Sequence, residues 1–260
     1  MRHTNKNKII AMENMETHKG SSILCVPSWV IPGTYVENLR FLRDKKEIQG
    51  VELLFFLYDD EIKNQFDSEW EEILSFKERF VFTAHLPELL LPAHGELVAR
   101  LAPLVRHFIV HPAVENPGAQ ARLLGEWTER CGAVFLAENT KAGLLEALLP
   151  HLEAGTGICM DCGHLLMNGQ NPAEFFAAWH AVAARHAVAA CRERIGEIHL
   201  HGIDRKQAAI DGRLIDHRRL RGDEPWLHEL LPLLKDYRGI INMEVFSWEE
   251  AKAGIDVLLQ

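Results

Sequence analysis

Short apolar runs punctuate this chain, and a stretch with helical spacing follows almost every one. The first run is 23–29, Ile-Leu-Cys-Val-Pro-Ser-Trp, and Pro32-Gly33 marks the turn after it. Thr34, with Glu37 three residues on, reads as a capping box and predicts a helix to about Leu42. Further runs cover 51–56, 80–86, 107–111, 133–138, 157–161, 196–201 and 240–246. Continuous apolar runs of this kind suit strands buried on both faces. Helices are expected between them over 69–77, 95–105, 118–131, 144–152, 172–194 and 225–234, and Ser247 with Glu250 caps a last one. Pro172 and Pro225 each fit the first turn of a helix. The stretch 202–223 is polar and reads as a loop carrying Asp204, Asp211, Asp216 and His217.

Strict alternation of strand and helix implies a parallel sheet. Eight such units in 260 residues imply a closed (β/α)8 barrel, a fold of ~250 residues. Residues 1–22 are polar and mixed in charge, and read as a loose leader. Residues 23–260 show no linker or break in composition and are expected to form one domain.

Composition narrows the function. The net charge is −9, which argues against duplex nucleic acid as a partner and favours a small-molecule substrate. Five cysteines at irregular spacing do not form a disulfide framework; they fit a reducing, cytoplasmic setting. Cys159 and Cys162 read as two reduced thiols near a site. No run approaches the ~18 apolar residues of a membrane span, so no membrane partner is expected.

Polar groups recur where the apolar strands end. His85, His111, Glu138, Asp161, His199, His201 and Glu244 all occupy such positions, with His164 just beyond Asp161. Active sites of these barrels lie at the C-terminal ends of the strands, so these groups would share one mouth. Any one histidine at a strand end is ordinarily a hydrogen-bonded core residue. An unpaired buried carboxylate is harder to accommodate, costing several kcal/mol. Glu138, Asp161 and Glu244 share that problem, and no strand end supplies Lys or Arg. A divalent metal resolves the whole set, with oxygen and imidazole ligands suited to hard or borderline cations. Four ligands suit a single-metal sugar isomerase or epimerase; eight or nine, rich in histidine, suit a multi-zinc phosphoesterase.

Glu138-Asn139-Thr140, Asp161-Cys162-Gly163-His164, His111-Pro112 and Met243-Glu244 resemble the xylose-isomerase-like barrel superfamily, and most of all its endonuclease IV (AP endonuclease type 2) branch. The resemblance implies three zinc ions at the strand ends. It implies His85, His111, Glu138, Asp161, His164, His199 and Glu244 as ligands, Glu138 bridging two metals. One arm departs from the pattern. The family has an Asp and a His one residue apart after the seventh strand, whereas Asp216 and His217 are adjacent here. One to three ions, zinc or manganese, are therefore expected. His201, of the same pleat parity as His199, is a candidate replacement ligand or catalytic group beside Glu138 and Glu244.

A second likeness covers mainly the first third of the chain. Pro27-Ser28-Trp29-Val30-Ile31-Pro32-Gly33, Glu37-Asn38-Leu39-Arg40-Phe41-Leu42, Val51-Glu52-Leu53-Leu54 and Thr83-Ala84-His85-Leu86-Pro87 resemble the cobamide-remodelling phosphodiesterases of the same superfamily. That likeness implies hydrolysis of the cobamide nucleotide loop to cobinamide phosphate and an α-ribazole-type nucleoside. Trp29, Glu52 and Tyr58 are the expected substrate contacts. Trp29, Ile31, Tyr35, Leu57, Tyr58 and residues 89–91 would make an apolar mouth for a corrinoid. Sugar isomerisation, abasic-site cleavage and corrinoid binding without turnover are the competing readings, in that order.

Overall fold

The computed structural model describes residues 22–151, 156–185, 195–204 and 214–260. The expected leader (apart from Ser22), Cys191, Asp211 and the expected end of the 172–194 helix lie outside the described residues.

Eight parallel strands close into a barrel. They are β1 (Ile23–Pro27), β2 (Gly50–Leu54), β3 (Val81–His85), β4 (Val105–Val110), β5 (Phe135–Glu138), β6 (Gly157–Asp161), β7 (Ile195–His199) and, after a separate pair, β10 (Ile240–Asn242). Each pairs with its neighbour in the chain, and β10 closes the ring against β1 through Ile23↔Ile240 and Cys25↔Asn242. The separate pair is β8 (Gly202–Asp204) with β9 (Ile215–Arg218), antiparallel, in the stretch expected to be loop. Gly202 must be glycine there, because a Cβ would meet the backbone oxygen of Arg219 at 2.8 Å.

Nine helices are described: α1 (Tyr35–Leu42), α2 (Asp60–Ser75), α3 (Gly95–Leu101), α4 (Pro117–Cys131), α5 (Leu144–Leu148), α6 (Cys162–Met167), α7 (Pro172–Arg185), α8 (Pro225–Leu234) and α9 (Trp248–Leu258). The capping box forms at α1: the Glu37 N–H donates to Thr34 Oγ1 at 3.3 Å, and the Thr34 N–H to Glu37 Oε2 at 2.8 Å. Helix α2 begins nine residues before the expected start. Asp59 caps it by accepting from the Ile62 N–H at 2.9 Å, and the apolar periodicity is weak because only Phe66 and Ile73 of this helix are buried. Helix α3 stops before Pro103, whose ring cannot continue it, and β4 therefore starts at Val105 rather than His107. Helix α6 follows β6 directly, where no helix was expected.

The mouth loops are pinned from below. Phe66 packs edge-on to Phe55 at 5.1 Å and to Tyr35 at 5.8 Å, pairs worth ~0.5–1.5 kcal/mol each beyond their burial. Tyr35 is itself buried and donates its hydroxyl to Leu54 O at 2.7 Å, so it anchors the end of β2 instead of lining the mouth. Asn38 is fully buried and takes the N–H groups of Val30 and Ile31 at 2.9 and 3.1 Å, while its amide donates to Ile31 O and Thr34 O. It holds the loop after β1 that presents Trp29. Replacing Asn38 with Ala strands these groups, and chemical denaturation should show a loss of roughly 2–3 kcal/mol.

Candidate metal centre

Glu138, the last residue of β5, is the hub. It is buried, and its Oε2 lies 3.0 Å from His85 Nε2 and 3.1 Å from His111 Nε2. Its Oε1 faces His164 Nδ1 at 3.2 Å and His199 Nδ1 at 3.7 Å. His85 ends β3, and its other ring nitrogen donates to Leu86 O at 3.0 Å. That bond fixes the ring and aims Nε2 at Glu138.

The Asp161-Cys162-Gly163-His164 motif is explained by its geometry. Asp161 ends β6 and caps α6, its Oδ1 accepting from the His164 N–H at 2.6 Å. One helical turn brings the His164 ring back toward Glu138. Gly163 leaves room for His201, whose ring would meet a Cβ at 2.0 Å. Asn139 braces the neighbouring strand ends: its amide donates to Asp161 O at 2.9 Å and its oxygen accepts from the Asp161 N–H at 2.8 Å. The sequence shows Asn139 only as part of a motif; its role as a brace needs the pairing of β5 with β6.

His199 ends β7. Its Nδ1 lies 3.1 Å from Glu244 Oε2, 3.7 Å from Glu138 and 3.9 Å from Asp161 Oδ2. Glu244 sits two residues past β10, a strand shorter than expected. His201, two residues beyond β7, is fully buried, as Asp161 and His199 are. Its Nδ1 lies 2.9 Å from the His217 backbone nitrogen and 3.2 Å from Gly202 O, and its Nε2 lies 3.1 Å from Asp161 Oδ2. His201 thus stands beside Asp161 on one side and His217 on the other.

The adjacent pair Asp216-His217 also reaches the centre. Neighbours on a strand normally point to opposite faces. His217 has φ of 49°, a left-handed backbone that breaks the alternation within β9. Asp216 thereby stands 3.7 Å from His164 Nε2 and 3.9 Å from His217 Nε2. His217 Nδ1 lies 3.1 Å from Glu244 O, so the altered arm still meets the other ligands.

Glu52 lies below the strand ends that carry the other groups. It is fully buried inside the barrel on β2, with Oε2 3.1 Å from His199 Nε2, and so touches no mouth. Of the other expected substrate contacts, Trp29 is 55% exposed on the loop after β1, and Tyr58 lines a cavity of about 1070 Å³ that opens onto His111. Phe56, Leu57, Leu89 and Val114 line the same cavity, and the last three are more than two-thirds exposed (74%, 70% and 71%).

The donor set fits divalent metal. Ligand atoms of a tetrahedral site with bonds of ~2.0–2.2 Å stand ~3.3–3.6 Å apart, and the separations around Glu138 and His199 bracket that range. His164 Nδ1, His199 Nδ1 and Glu244 Oε2 are buried without a properly aligned hydrogen bond, although each lies within 3.2 Å of a counterpart. They point at shared space rather than at one another. His85, His111 and Glu138 form one group able to hold an ion, and Glu138, Asp161, His199 and Glu244 form another, each with ligand atoms within 4.8 Å of one another. His201, His217 and Glu244 form a third such group. Among the described residues, no Lys or Arg pairs with these carboxylates.

Charge sharing follows from burial. Burial raises the Glu138 carboxyl, but His111, His164 and His199 pull it well below the usual carboxylate range. Burial would lower His164, yet Asp161 and Glu138 outweigh it and lift the ring to about 10. Cys162 is buried and its thiol is pushed well up by that burial, which leaves it inert as a nucleophile.

No protein-family model and no curated protein matches this chain. Solved structures do. Endonuclease IV from Thermus thermophilus is 18% identical, with 91% of this chain and 97% of that one covered and a TM-score of 0.50. A putative uncharacterized protein from Parabacteroides distasonis ATCC 8503 is 16% identical over 92% and 98% of the two chains, with a TM-score of 0.59. An L-ribulose 3-epimerase is 14% identical over 88% and 82%, with a TM-score of 0.56. These likenesses are of fold, the closed (β/α)8 barrel.

Because His164 holds its proton to about pH 10 without metal, a cation must displace that proton to bind. Zinc affinity should therefore rise with pH between 6 and 9. Calorimetry in buffers of different ionisation enthalpy should show net proton release; uptake without release would contradict the ligand role of His164.

Proposed function

We propose that this chain is a metal-dependent phosphodiesterase that hydrolyses the nucleotide loop of cobamides to cobinamide phosphate and an α-ribazole-type nucleoside. The observation that carries the reading is a cavity of about 1070 Å³ of mixed polar and apolar lining that opens onto His111 and carries exposed Leu57, Leu89 and Val114. A sugar or a short diester has no use for exposed Leu57, Leu89 and Val114, whereas a broad amphipathic ring system buries them. Trp29 and Phe246, both well exposed on other loops of the same face, extend the apolar rim.

Bound divalent metal would supply Lewis acidity toward a phosphoryl oxygen and acidify a water. Zinc suits the mixed imidazole and carboxylate set, and manganese is the second choice. Glu138, Asp161, His199 and Glu244 would hold one ion, with His85 and His111 beside Glu138 for another. His164, Asp216 and His217 would complete a third arm. The apolar rim excludes water from the cleft and orients the macrocycle so that the phosphodiester reaches the histidines. The acidic balance of the chain, −9 overall, is poorly matched to duplex DNA.

One observation favours a second reading. Glu138, Asp161, His199 and Glu244 form a complete four-ligand set without the other histidines, and an L-ribulose 3-epimerase shares the fold. In that case Glu138 and Glu244 would move protons on a sugar, and solvent deuterium would enter a ketose.

The test is cobamide cleavage followed by chromatography of the corrinoid and nucleoside products. Metal-depleted protein should be inactive and zinc or manganese should restore it. Leu89→Asp should raise KM for the cobamide by about tenfold with little change in kcat, since a buried leucine contributes ~1.5–3 kcal/mol. Cleavage of a small aryl phosphodiester should be unaffected by that change. Equal cobamide turnover by depleted and loaded protein would refute the proposal.

A further inference from the structure

His199 stands between two groups of carboxylates. Its Nδ1 faces Glu244, Glu138 and Asp161, at 3.1, 3.7 and 3.9 Å. Its Nε2 faces the opposite way, toward Glu52 Oε2 at 3.1 Å and Glu197 Oε1 at 3.8 Å. The second group lies deeper in the barrel. Glu52 and Glu197 are both fully buried, on β2 and β7, and Glu197 shares a hydrogen bond of 2.5 Å with His107 Nε2 on β4. Glu197 precedes His199 by two residues, so pleat parity aims both into the barrel. The polar layer thus runs from His107 through Glu197 and Glu52 to the ligand face of His199.

Buried carboxylates are expensive, and these two lie below the strand ends, away from the cavity that opens onto His111. One oxygen of each is engaged, Glu52 Oε2 with His199 Nε2 and Glu197 Oε2 with His107 Nε2. An imidazole offers a lone pair to a metal from one nitrogen only if its proton sits on the other. A buried acceptor on Nε2 therefore decides which nitrogen is free. We infer that Glu52 is a positioning residue for the metal centre: it accepts the Nε2–H of His199 and thereby presents Nδ1 to the ion held with Glu138, Asp161 and Glu244. Glu197, tied to His107, closes the space behind Glu52 and keeps its carboxylate turned to His199. Carboxylate partners of ligand histidines fix tautomer and ring orientation in this way, and their loss weakens metal binding 10–100-fold. The inference rests on the metal-centre part of the proposed function and is independent of the substrate.

The test compares wild type, Glu52→Gln and Glu52→Ala by zinc titration against a competing chelator, elemental analysis at saturation, and nitrogen-15 spectra of the histidine rings. Glu52→Gln keeps the shape and an acceptor, and metal-free thermal melts identify any variant that fails to fold. The expected result is about tenfold weaker zinc binding for Glu52→Gln and about a hundredfold for Glu52→Ala, with the number of ions at saturation unchanged. The zinc-loaded wild type should show His199 protonated at Nε2, and Glu52→Ala should lose that single tautomer. Loss of a whole ion at saturation in folded Glu52→Gln would overturn the inference, because Glu52 would then be a ligand of a second, deeper ion. Unchanged affinity with a raised KM for substrate would overturn it too, returning Glu52 to substrate binding. A wild type that takes up no divalent ion would sink the metal centre and this inference together, whereas wild-type uptake that the variants match sinks the inference alone.

Discussion

A single buried carboxylate organises the centre of this barrel. Glu138 lies within 3.7 Å of nitrogens from four histidines, delivered by β3, the end of β4, α6 and β7. A lone carboxylate at that depth is costly, and its histidine partners are equally costly if they charge without it. The surrounding structure supplies the compensation: Leu86 O fixes His85, Asn139 ties the ends of β5 and β6, and Asp161 caps the helix that returns His164. These supports are bonds between side chains and the backbone at strand ends. The position of the site therefore follows from barrel closure rather than from any one loop.

The barrel was legible because each strand is a short apolar run closed by Pro, Gly or a polar group. The cluster of polar groups at the strand ends was legible for a related reason: a charge at the end of such a run has no apolar explanation. Glu52 shows where that logic stops. It lies in an apolar run, and a one-dimensional pattern gives no depth along the barrel axis. Only register separates a residue at the mouth from one beneath it. Glu52 pairs with Thr83 two positions before His85, and so lies a layer below the mouth. Glu197 and His107 went unread for the same reason, although the Gly-Glu-Ile-His spacing in β7 held a signal, since Glu197 and His199 share a face.

Asp216 and His217 illustrate the opposite limit. Their adjacency argued for a broken arm, on the rule that neighbouring side chains diverge. A left-handed φ at His217 turns the rule aside and returns both groups to the same space. Such a conformation costs of order 1–3 kcal/mol in a non-glycine residue and persists when its surroundings demand it. Here the surroundings are Glu244 O on His217 Nδ1 and the stacked ring of His201 at 4.4 Å. The strain and the chemistry coincide at one residue.

An inward-facing polar layer, a ring of ligand atoms above it and an apolar rim above that make three successive zones of the barrel. The middle zone is the central claim, and it has a direct physical test. Crystals of the zinc-loaded protein should give anomalous difference density at the zinc edge between Glu138, Asp161, His199 and Glu244. Zinc bound only at surface residues, with that space filled by water at full occupancy, would contradict the account.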